Sequence, residues 1–586
     1  MPLMGSLYIG ASGLQTSQNA LNTTAHNLSN IDTTGYTRQQ VQLSDKRYLT
    51  LSVDPNSVNN KQTGLGVTYS RVKQIRDYFL DKTYRKESGR SMFYEVSTEV
   101  MEEVESQLGE MNGEAFQTTI TDFWTAVQEL AKDPASSVTQ GLLVQRASEF
   151  VERANAVYEG LSSYQDNLNT QIKSQVDKIN DYGKKLLTLN DQIRAIESGG
   201  IEHANDLRDA RNQVLDELAE LTSINYSEDL YGNVAVQIEG VDFVKGGTCY
   251  EIGMYVDVNT GFYTPFWPQN ASYHMMDNGT REYNIDGAEV FNLNREISSD
   301  LNTDIGGLKA MLLARGDHRA DYTDIEGDYD SISQSVVMNI QAEFDQLIHS
   351  VVTKVNGILA DAAGVLQGEI TLDDGTTLEN VRFSDVNPEG YMRREDGSPI
   401  QLFGKISTDN YRKVSGTVTY EDADGNIKTE TGEFWVYNEE DPDASETLYS
   451  VKNLQIDQEL MQRPAMLGFR LPDGSEDTKT AEALKAAFTE EAYTLNPNVK
   501  KKTTFVDYYT DLVSQVANSG AVYRSIYTNQ ESTVESANSA REQVIGVSSD
   551  EELSNMIKFQ NAYNASSRYI NVISEMLEHI INTLGV

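Results

Sequence analysis

The chain begins with a long segment that carries no formal charge, and this feature most constrains what it can fold into. Residues 1–31 contain no Asp, Glu, Lys or Arg, although 23% of the chain is charged, so that about seven charges are expected there. Leu7, Leu14, Leu21 and Leu28 recur every seven residues, which predicts a helix with one apolar face. Such a helix can pack against copies of itself without burying unpaired ions, as the axis of a tightly packed polymer requires.

The other end of the chain predicts a second helix with a heptad seam. Ser549 and Glu552 have the spacing of a capping box, and acidic residues fill the first turn. Two apolar stripes at opposite ends of the sequence suggest that the ends pair, although two unrelated amphipathic helices in one core explain the heptads as well. The seam residues are Met556, Phe559, Tyr563, Ile570, Ile573, Leu577, Ile580 and Leu584, with Ser566 as the one polar break.

A fifteen-residue motif follows the first helix and is more specific than the heptads. Residues 25–39 read Ala-His-Asn-Leu-Ser-Asn-Ile-Asp-Thr-Thr-Gly-Tyr-Thr-Arg-Gln. This segment resembles the N-terminal signature of bacterial flagellar rod, hook and hook-associated proteins, with His26 in place of an Asn. We expect Asn30 to end the helix, Gly35 to make a tight turn and Tyr36 to anchor the chain that leaves it. The matching residues are Asn27, Leu28, Asn30, Thr34, Gly35, Tyr36 and Arg38.

The resemblance extends to the C-terminal segments 545–552 and 558–568 and to the internal segments 207–221 and 306–315. These are similar to the hook–filament junction members of the family, whereas rod and hook proteins lack so long a helical interior. The resemblance implies a structural adaptor that forms a homo-oligomeric ring. Its partners would be the hook protein on one side and a second junction protein, or the flagellin side of the filament, on the other. It also implies a flagellar export chaperone at the C-terminus.

Composition excludes several other classes of partner. The 65.3-kDa chain has a net charge of −42 and a pI near 4.4, which argues against binding to nucleic acid. It contains no run of apolar residues long enough to span a membrane and begins without a signal-peptide pattern. Composition alone therefore favours the cytoplasm. The resemblance instead implies an extracellular location in the flagellum after type III export without a cleaved signal.

The pattern along the chain predicts an elongated α+β multidomain protein, in which a terminal α-helical coiled coil and a long helical bundle carry β-rich outer domains. Asp-Gly turns and alternating apolar residues mark the longest β-rich segment, which we expect to bury its own faces and to be removable. Both ends are expected to be disordered in the monomer, because the leucines bury too little surface to order the first helix alone. The expected domains are a terminal coiled coil of 1–36 and 545–586, a helical bundle of 37–222, 300–366 and 499–544, a β-rich domain of 223–299, and a β-rich insert of 367–498.

No pattern typical of an enzyme or a metal site is found in the sequence. We therefore expect no catalytic, cofactor-binding or metal-ligating residues, and no cofactor. Acidic segments such as 321–330 and 439–443 lack the spacing of a calcium loop and are read as solvated loops. The alternatives are another flagellar axial protein such as the hook protein, an exported axial protein with an enzymatic or adhesive insert at 367–498, and a helical assembly protein unrelated to flagella.

Overall fold

A computed structural model describes residues 3–46, 48–52, 61–109, 116–199, 202–276, 281–387, 391–422 and 425–584 of the chain. Long helices dominate these residues, and the strands form several small sheets. The helices are α1 Leu3–Ser29, α2 Tyr78–Leu108, α3 Phe116–Lys132, α4 Ser137–Glu197, α5 Asn205–Leu221, α6 Gly307–Arg315, α7 Tyr322–Gly327, α8 Tyr329–Ile332, α9 Val336–Ala362, α10 Gln458–Gln462, α11 Thr478–Thr489, α12 Phe505–Ile545 and α13 Ser549–Leu584. The strands are β1 Gln39–Asp45, β2 Leu49–Ser52, β3 Lys61–Thr63, β4 Val67–Gln74, β5 Ile224–Glu228, β6 Val234–Ile238, β7 Val241–Lys245, β8 Thr248–Cys249, β9 Gly253–Val256, β10 Tyr263–Phe266, β11 Ser272–Met275, β12 Arg281–Asn284, β13 Leu366–Leu372, β14 Thr377–Asp385, β15 Phe403–Lys405, β16 Tyr411–Glu421, β17 Ile427–Tyr437 and β18 Leu454–Ile456.

Helix length makes the molecule elongated. The 61 residues of α4 extend for about 90 Å at the rise of an α-helix. The α+β multidomain architecture predicted from the sequence is confirmed. Two side chains cap long helices, since Ser136 accepts a hydrogen bond from the Val138 amide and Thr504 accepts one from the Asp507 amide.

Apolar residues at helical spacing from Val72 onward predict a helix that begins at Arg71, but the helix begins later. Strand β4 runs to Gln74, and α2 starts only at Tyr78. The reason is a local cap, because the Asp77 carboxylate accepts hydrogen bonds from the backbone amides of Phe79 and Leu80 at 2.8 and 3.4 Å. The apolar residues between 71 and 76 therefore belong to a strand and its connection.

The main core lies between helices α2, α3, α4, α9 and α12. Aromatic rings fill its centre, and the Phe116 ring lies 5.0 Å from that of Phe344 and 4.9 Å from that of Tyr509, measured between centroids. Tilted and edge-on contacts of this kind add to the free energy of burial. This bundle is the rigid part of the molecule from which the other units extend.

A second core joins the bundle to the small sheets of residues 224–284. Strands β5, β6, β7 and β8 form one antiparallel sheet in that order. Val234, Val236 and Ile238 alternate into its buried face, as the sequence predicted for this strand. Their side chains pack with residues of α4, α5 and α6, so this sheet is fixed to the side of the bundle.

The segment 367–498 is only partly an independent unit. Strands β13, β14, β17 and β16 close into a barrel with a small core of its own, formed by Ile370, Phe383, Val418, Phe434 and Val436. The expectation that the whole segment buries its own faces is wrong.

The remaining part of this segment packs into the bundle. The rings of Phe403 and Phe488 lie 6.1 and 5.4 Å from that of Phe123, which belongs to α3. Helix α11, which the β-rich texture of the sequence did not predict, also packs on the bundle. Removing residues 367–498 would therefore open the main core.

The first strands lie beside the first helix. Strand β1 pairs with β4, and both contact α1 rather than the bundle core. The domain boundary at residue 37, like the other boundaries, therefore stays a prediction. Among the described residues, no helix is long and apolar enough to cross a membrane.

Candidate assembly interface at the chain termini

Helices α1 and α13 pack along each other in opposite directions. Gly10 of α1 lies against Ile570, Gly13 against Ser566, and Asn27 against Glu552 near the start of α13. The two ends of the chain therefore form one two-helix unit, here called the terminal pair. The structure shows the paired form, and the expectation that both ends are disordered before assembly stays a prediction.

Small side chains of α1 form the inner face of the terminal pair. A Cβ atom on Gly10 would lie 2.7 Å from Cγ1 of Ile570, and one on Gly13 would lie 2.8 Å from Oγ of Ser566. Both distances are shorter than van der Waals contact, so the two backbones approach each other only because these positions carry no side chain. Ser17, Ala20 and Thr24 continue this face at helical spacing and are buried.

The leucines of the N-terminal stripe lie at the edge of this contact. Leu7, Leu14, Leu21 and Leu28 are half-buried within the chain. On α13, Met556, Phe559, Tyr563, Ile570 and Leu577 are half-buried, Ile573 is buried, and Ile580 is exposed. The side chain of Leu584 lies outside the described residues. Ser566, the polar break in the heptads, is the small residue that Gly13 contacts.

Several apolar side chains of the terminal pair stay largely exposed in the described chain. Ile557 keeps 60% of its surface exposed and Tyr8 keeps 65%. Isolated exposed apolar residues are ordinary on a protein surface, but a row along one helix pair is typical of an interface. The other members are Met4, Ile9, Leu553, Tyr569, Val572, Met576, Ile580 and Ile581.

The side chain of Asn27 organises the turn that follows α1. Its Oδ1 atom accepts hydrogen bonds from the Tyr36 hydroxyl at 2.7 Å and from the Gln39 amide at 3.0 Å. Its Nδ2 atom donates to the Gln39 carbonyl at 2.8 Å and to Oε2 of Glu552 at 3.2 Å. Asn27 is almost completely buried, so every polar atom of its amide has a partner, as burial demands.

The other signature residues shape the same turn. The Asn30 side chain donates to the His26 carbonyl at 2.9 Å, one residue after α1 ends. Gly35 has a φ of 80°, a left-handed conformation that favours glycine, as the sequence predicted. Thr34 is exposed, with no recorded contact that explains its place in the motif.

Arg38 joins this turn to the C-terminal helix. Its Nε donates to Oε1 of Glu552 at 2.9 Å, and Nη1 lies 2.6 Å from Oε2 of Glu551. Its backbone amide also donates to the Ile545 carbonyl at 2.8 Å, at the end of α12. The turn after α1 therefore holds the junction between α12 and α13.

The predicted capping box at the start of α13 is wrong by one residue. Ser548, not Ser549, precedes the helix, and its hydroxyl accepts from the Glu551 amide at 3.5 Å. Glu552 is therefore free to turn its carboxylate toward Arg38 and Asn27. The sequence spacing indicated a local cap for Glu552 and did not predict its contacts with Arg38 and Asn27. The available signal was that Glu552 lies within the C-terminal segment that resembles the family.

Buried charge also connects the turn to the bundle. The Thr37 amide donates to Oδ2 of Asp209 on α5 at 3.2 Å. Burial raises the pKa of Asp209 to about 6, with hydrogen bonds from Thr37 and the charge of Arg76 acting in the opposite direction. Burial, together with nearby carboxylates, also raises the pKa of Tyr36, so its phenol stays protonated and donates to Asn27.

The terminal pair and the turn after α1 offer contact surfaces between helices. In the described part of the chain, no group of three His, Cys, Asp or Glu side chains is placed to hold a metal ion. The residues that converge here are a buried amide, an arginine and two carboxylates that both pair with the arginine. Their chemistry is that of a structural joint.

Family models match both ends and the middle of the chain. A model described as the helical domain of flagellar hook-associated protein FlgK matches residues 101–371. A flagellar basal-body rod protein model matches residues 7–37, and a model of the C-terminal part of basal-body rod FlgEFG proteins matches residues 544–583. The two short matches coincide with the terminal pair.

Full-length relatives carry the same description. The chain is 25% identical over 578 residues to flagellar hook-associated protein 1 of Bacillus subtilis, covering 98% of this chain and 97% of that protein. It is 23% identical over 595 residues to the protein of that name from Escherichia coli, covering 99% and 100%. Over almost its whole length, the chain is therefore similar to flagellar hook-associated protein 1.

Members of the hook-associated protein 1 family in this comparison are structural flagellar proteins, and this chain is part of the bacterial flagellum. A shorter match, 33% identical over 79 residues, is to flagellar hook protein FlgE of Treponema pallidum and covers 12% of this chain and 17% of that protein. Among solved structures, the flagellar hook junction protein FlgK from Burkholderia pseudomallei aligns with a TM-score of 0.48 and 14% identity, over 80% of this chain and 100% of that one.

Proposed function

We propose that the chain is the structural adaptor that joins hook to filament, and that it assembles through the terminal pair. The observation that carries this proposal is the row of exposed apolar side chains on that pair, next to a helix without charge. Subunits packed side by side would cover the row. Half-exposed apolar side chains contribute about 1 kcal/mol each when buried, so ten of them contribute on the order of 10 kcal/mol per subunit.

Charge distribution supports a ring in which the terminal pairs lie innermost. The chain as a whole has a net charge of −42, so its outer parts repel those of its neighbours. Helix α1 contains no acidic or basic residue apart from His26. The segment that approaches its copies most closely would therefore bring no unpaired ion into the contact.

The partners that we propose follow from this position. One face of the ring contacts the hook protein, and the other contacts a second junction protein or the flagellin side of the filament. The C-terminal helix, with its apolar row exposed before assembly, is the segment that a flagellar export chaperone would cover. The mature protein is extracellular and leaves the cell through the flagellar export channel without a cleaved signal.

A complementation experiment tests the proposal. A strain that lacks the gene should build hooks but release flagellin into the medium, and the wild-type chain should restore filaments. Ile557→Asp places a charge on the exposed row and should abolish filament attachment while the exported monomer keeps its circular dichroism spectrum. Asn518→Asp adds the same charge at an exposed polar position of the bundle helix α12, outside the terminal pair, and should restore swimming. Normal swimming with Ile557→Asp would show that the row is not an interface.

A further inference from the structure

A cleft lies where strand β4 and the start of α2 meet α5 and strands β5 and β6. Its volume is about 330 Å³, which is within the range of small-molecule sites. Tyr78 and Tyr226 form part of its wall, with the Tyr78 hydroxyl donating to the Tyr226 carbonyl at 2.6 Å. The cleft is separate from the contact between α1 and α13.

Cationic side chains line this cleft in a protein that is otherwise strongly acidic. Two carboxylates, Asp81 and Glu228, are also in the lining. The net charge of the chain is −42, so a lining with more cations than carboxylates differs from the chain as a whole. The cations are Arg71, Lys73, Arg76, Arg85, Arg208 and Arg211.

Ion pairs account for part of this charge. Arg85 lies 2.6 Å from Asp216, and Arg208 binds Glu197 at 2.8 Å. In contrast, Arg71 and Lys73 form no ion pair with a described residue, and the Nε of Arg71 donates to the neutral Gln42 side chain at 2.8 Å. Both side chains are on exposed residues of β4 at the mouth of the cleft.

Arg211 supplies the deepest positive group. It is only 2% exposed, and two of its nitrogens contact the Gly232 carbonyl and Glu228 at 2.6 and 3.3 Å. Its Nε is buried and has no hydrogen-bond partner in the described chain. Burial lowers the pKa of this guanidinium, and the charge of Glu228 acts in the opposite direction. A buried donor without an acceptor is rare in folded proteins and points to a missing ligand, ion or water.

We propose that this cleft binds a small oxyanion, a phosphate or a carboxylate, with Arg71 and Lys73 at its mouth and Arg211 at its base. Arginine matches both groups because its planar fork donates two parallel hydrogen bonds. The bound anion would connect β4, which lies beside α1, to α5 and β5, which pack in the second core at the side of the bundle. Binding would therefore strengthen the attachment of the terminal pair to the rest of the molecule.

Thermal unfolding of the full-length chain tests this proposal. A ligand that binds only the folded state raises Tm, so about 10 mM phosphate or acetate should raise Tm more than NaCl does at equal ionic strength. The anion with the larger shift identifies the preferred group. Calorimetric titration with that anion should show at least about tenfold weaker binding by the Arg71→Ala/Lys73→Ala double variant, a loss of about 1.4 kcal/mol.

A matched double variant separates a site from general charge. Lys500→Ala/Lys502→Ala removes the same two charges from exposed positions outside the cleft and should bind the anion as the wild type does. Circular dichroism should be unchanged in both variants, since all four side chains are exposed. The proposal is overturned if neither anion exceeds NaCl, or if both double variants weaken binding equally.

Discussion

Two neighbouring glutamates of α13 contact the same arginine, and the structure predicts that they contribute very differently to the terminal pair. The Glu552 side chain is 3% exposed and that of Glu551 is 62% exposed. Glu552→Ala leaves Arg38 Nε without its acceptor and removes one of the two acceptors of Asn27 Nδ2. Glu551→Ala removes an exposed ion pair while the Glu552 contact remains. Both substitutions remove one charge from the first turn of the helix, so their effects on the helix dipole are equal.

The expected magnitudes follow from burial. A hydrogen bond to a charged group contributes about 1.5–3 kcal/mol, and removing one partner of a buried pair costs about 3–5 kcal/mol. Arg38 keeps its contact with Glu551, so we expect Glu552→Ala to lower the free energy of opening the terminal pair by about 3 kcal/mol. An exposed ion pair contributes about 0–1 kcal/mol, which limits the effect of Glu551→Ala.

Amide hydrogen exchange on the full-length chain measures these free energies locally. Exchange from α1 and α13 should accelerate by about 100-fold in Glu552→Ala and by no more than about fivefold in Glu551→Ala. Amides of α4 should keep their wild-type rates in both variants, because the contact lies outside the bundle core. Equal acceleration by the two variants would refute the assignment of Glu552 as the buried acceptor. Acceleration that extends to α4 would refute the separation of terminal pair and bundle.

Three further predictions address the seam, the core and its titration. Gly10→Leu should destabilise the terminal pair by about 1–3 kcal/mol, measured by exchange, because the new side chain overlaps Ile570, whereas Gln15→Leu on the exposed side of α1 should not. In chemical denaturation, Phe488→Ala should cost about 3–5 kcal/mol, and Ile427→Ala, at a residue 79% exposed in the barrel, should cost less than about 0.5 kcal/mol; equal effects would mean that residues 367–498 fold apart from the bundle. Burial raises the pKa of Glu343 to about 7, so its contribution is greatest below the pKa of the unfolded chain and is lost as pH rises through about 7. Glu343→Gln should therefore reduce the fall in unfolding free energy between about pH 5 and about pH 8 by up to about 3 kcal/mol, and an unchanged fall would contradict the pKa.

The apolar stripe of α13 can be read from the sequence, because apolar residues at heptad spacing indicate one helix face. That its residues form the assembly interface stays a prediction. The inner face of α1 was not predicted in the same way. Gly10, Gly13 and Ser17 look like polar or neutral surface in a sequence, and only the approach of a second backbone makes their small size a requirement. The larger Leu14 was predicted to lie in the contact, but it lies at the edge of the contact between α1 and α13.

Contacts between residues far apart in the chain could not be predicted from the sequence either. The motif around Gly35 and Tyr36 predicted a turn, since local conformational preference decides its shape. The contact between Asn27 and Glu552 joins residues 525 positions apart, and no local pattern contains that distance. The aromatic residue Phe403 was likewise read as part of a β-rich unit, although its ring contacts the bundle. The sequence of a short strand shows which side chains lie on the same face, but it does not show which hydrophobic core that face packs against.

The closed barrel has a practical consequence for attaching foreign sequences to the flagellum. Its core is its own, and the long β16–β17 hairpin extends from it with most of β17 exposed. A peptide or small domain inserted at the turn of this hairpin would disturb neither the bundle nor the terminal pair. Each assembled subunit would then display one copy of the inserted peptide at a fixed position on the flagellum.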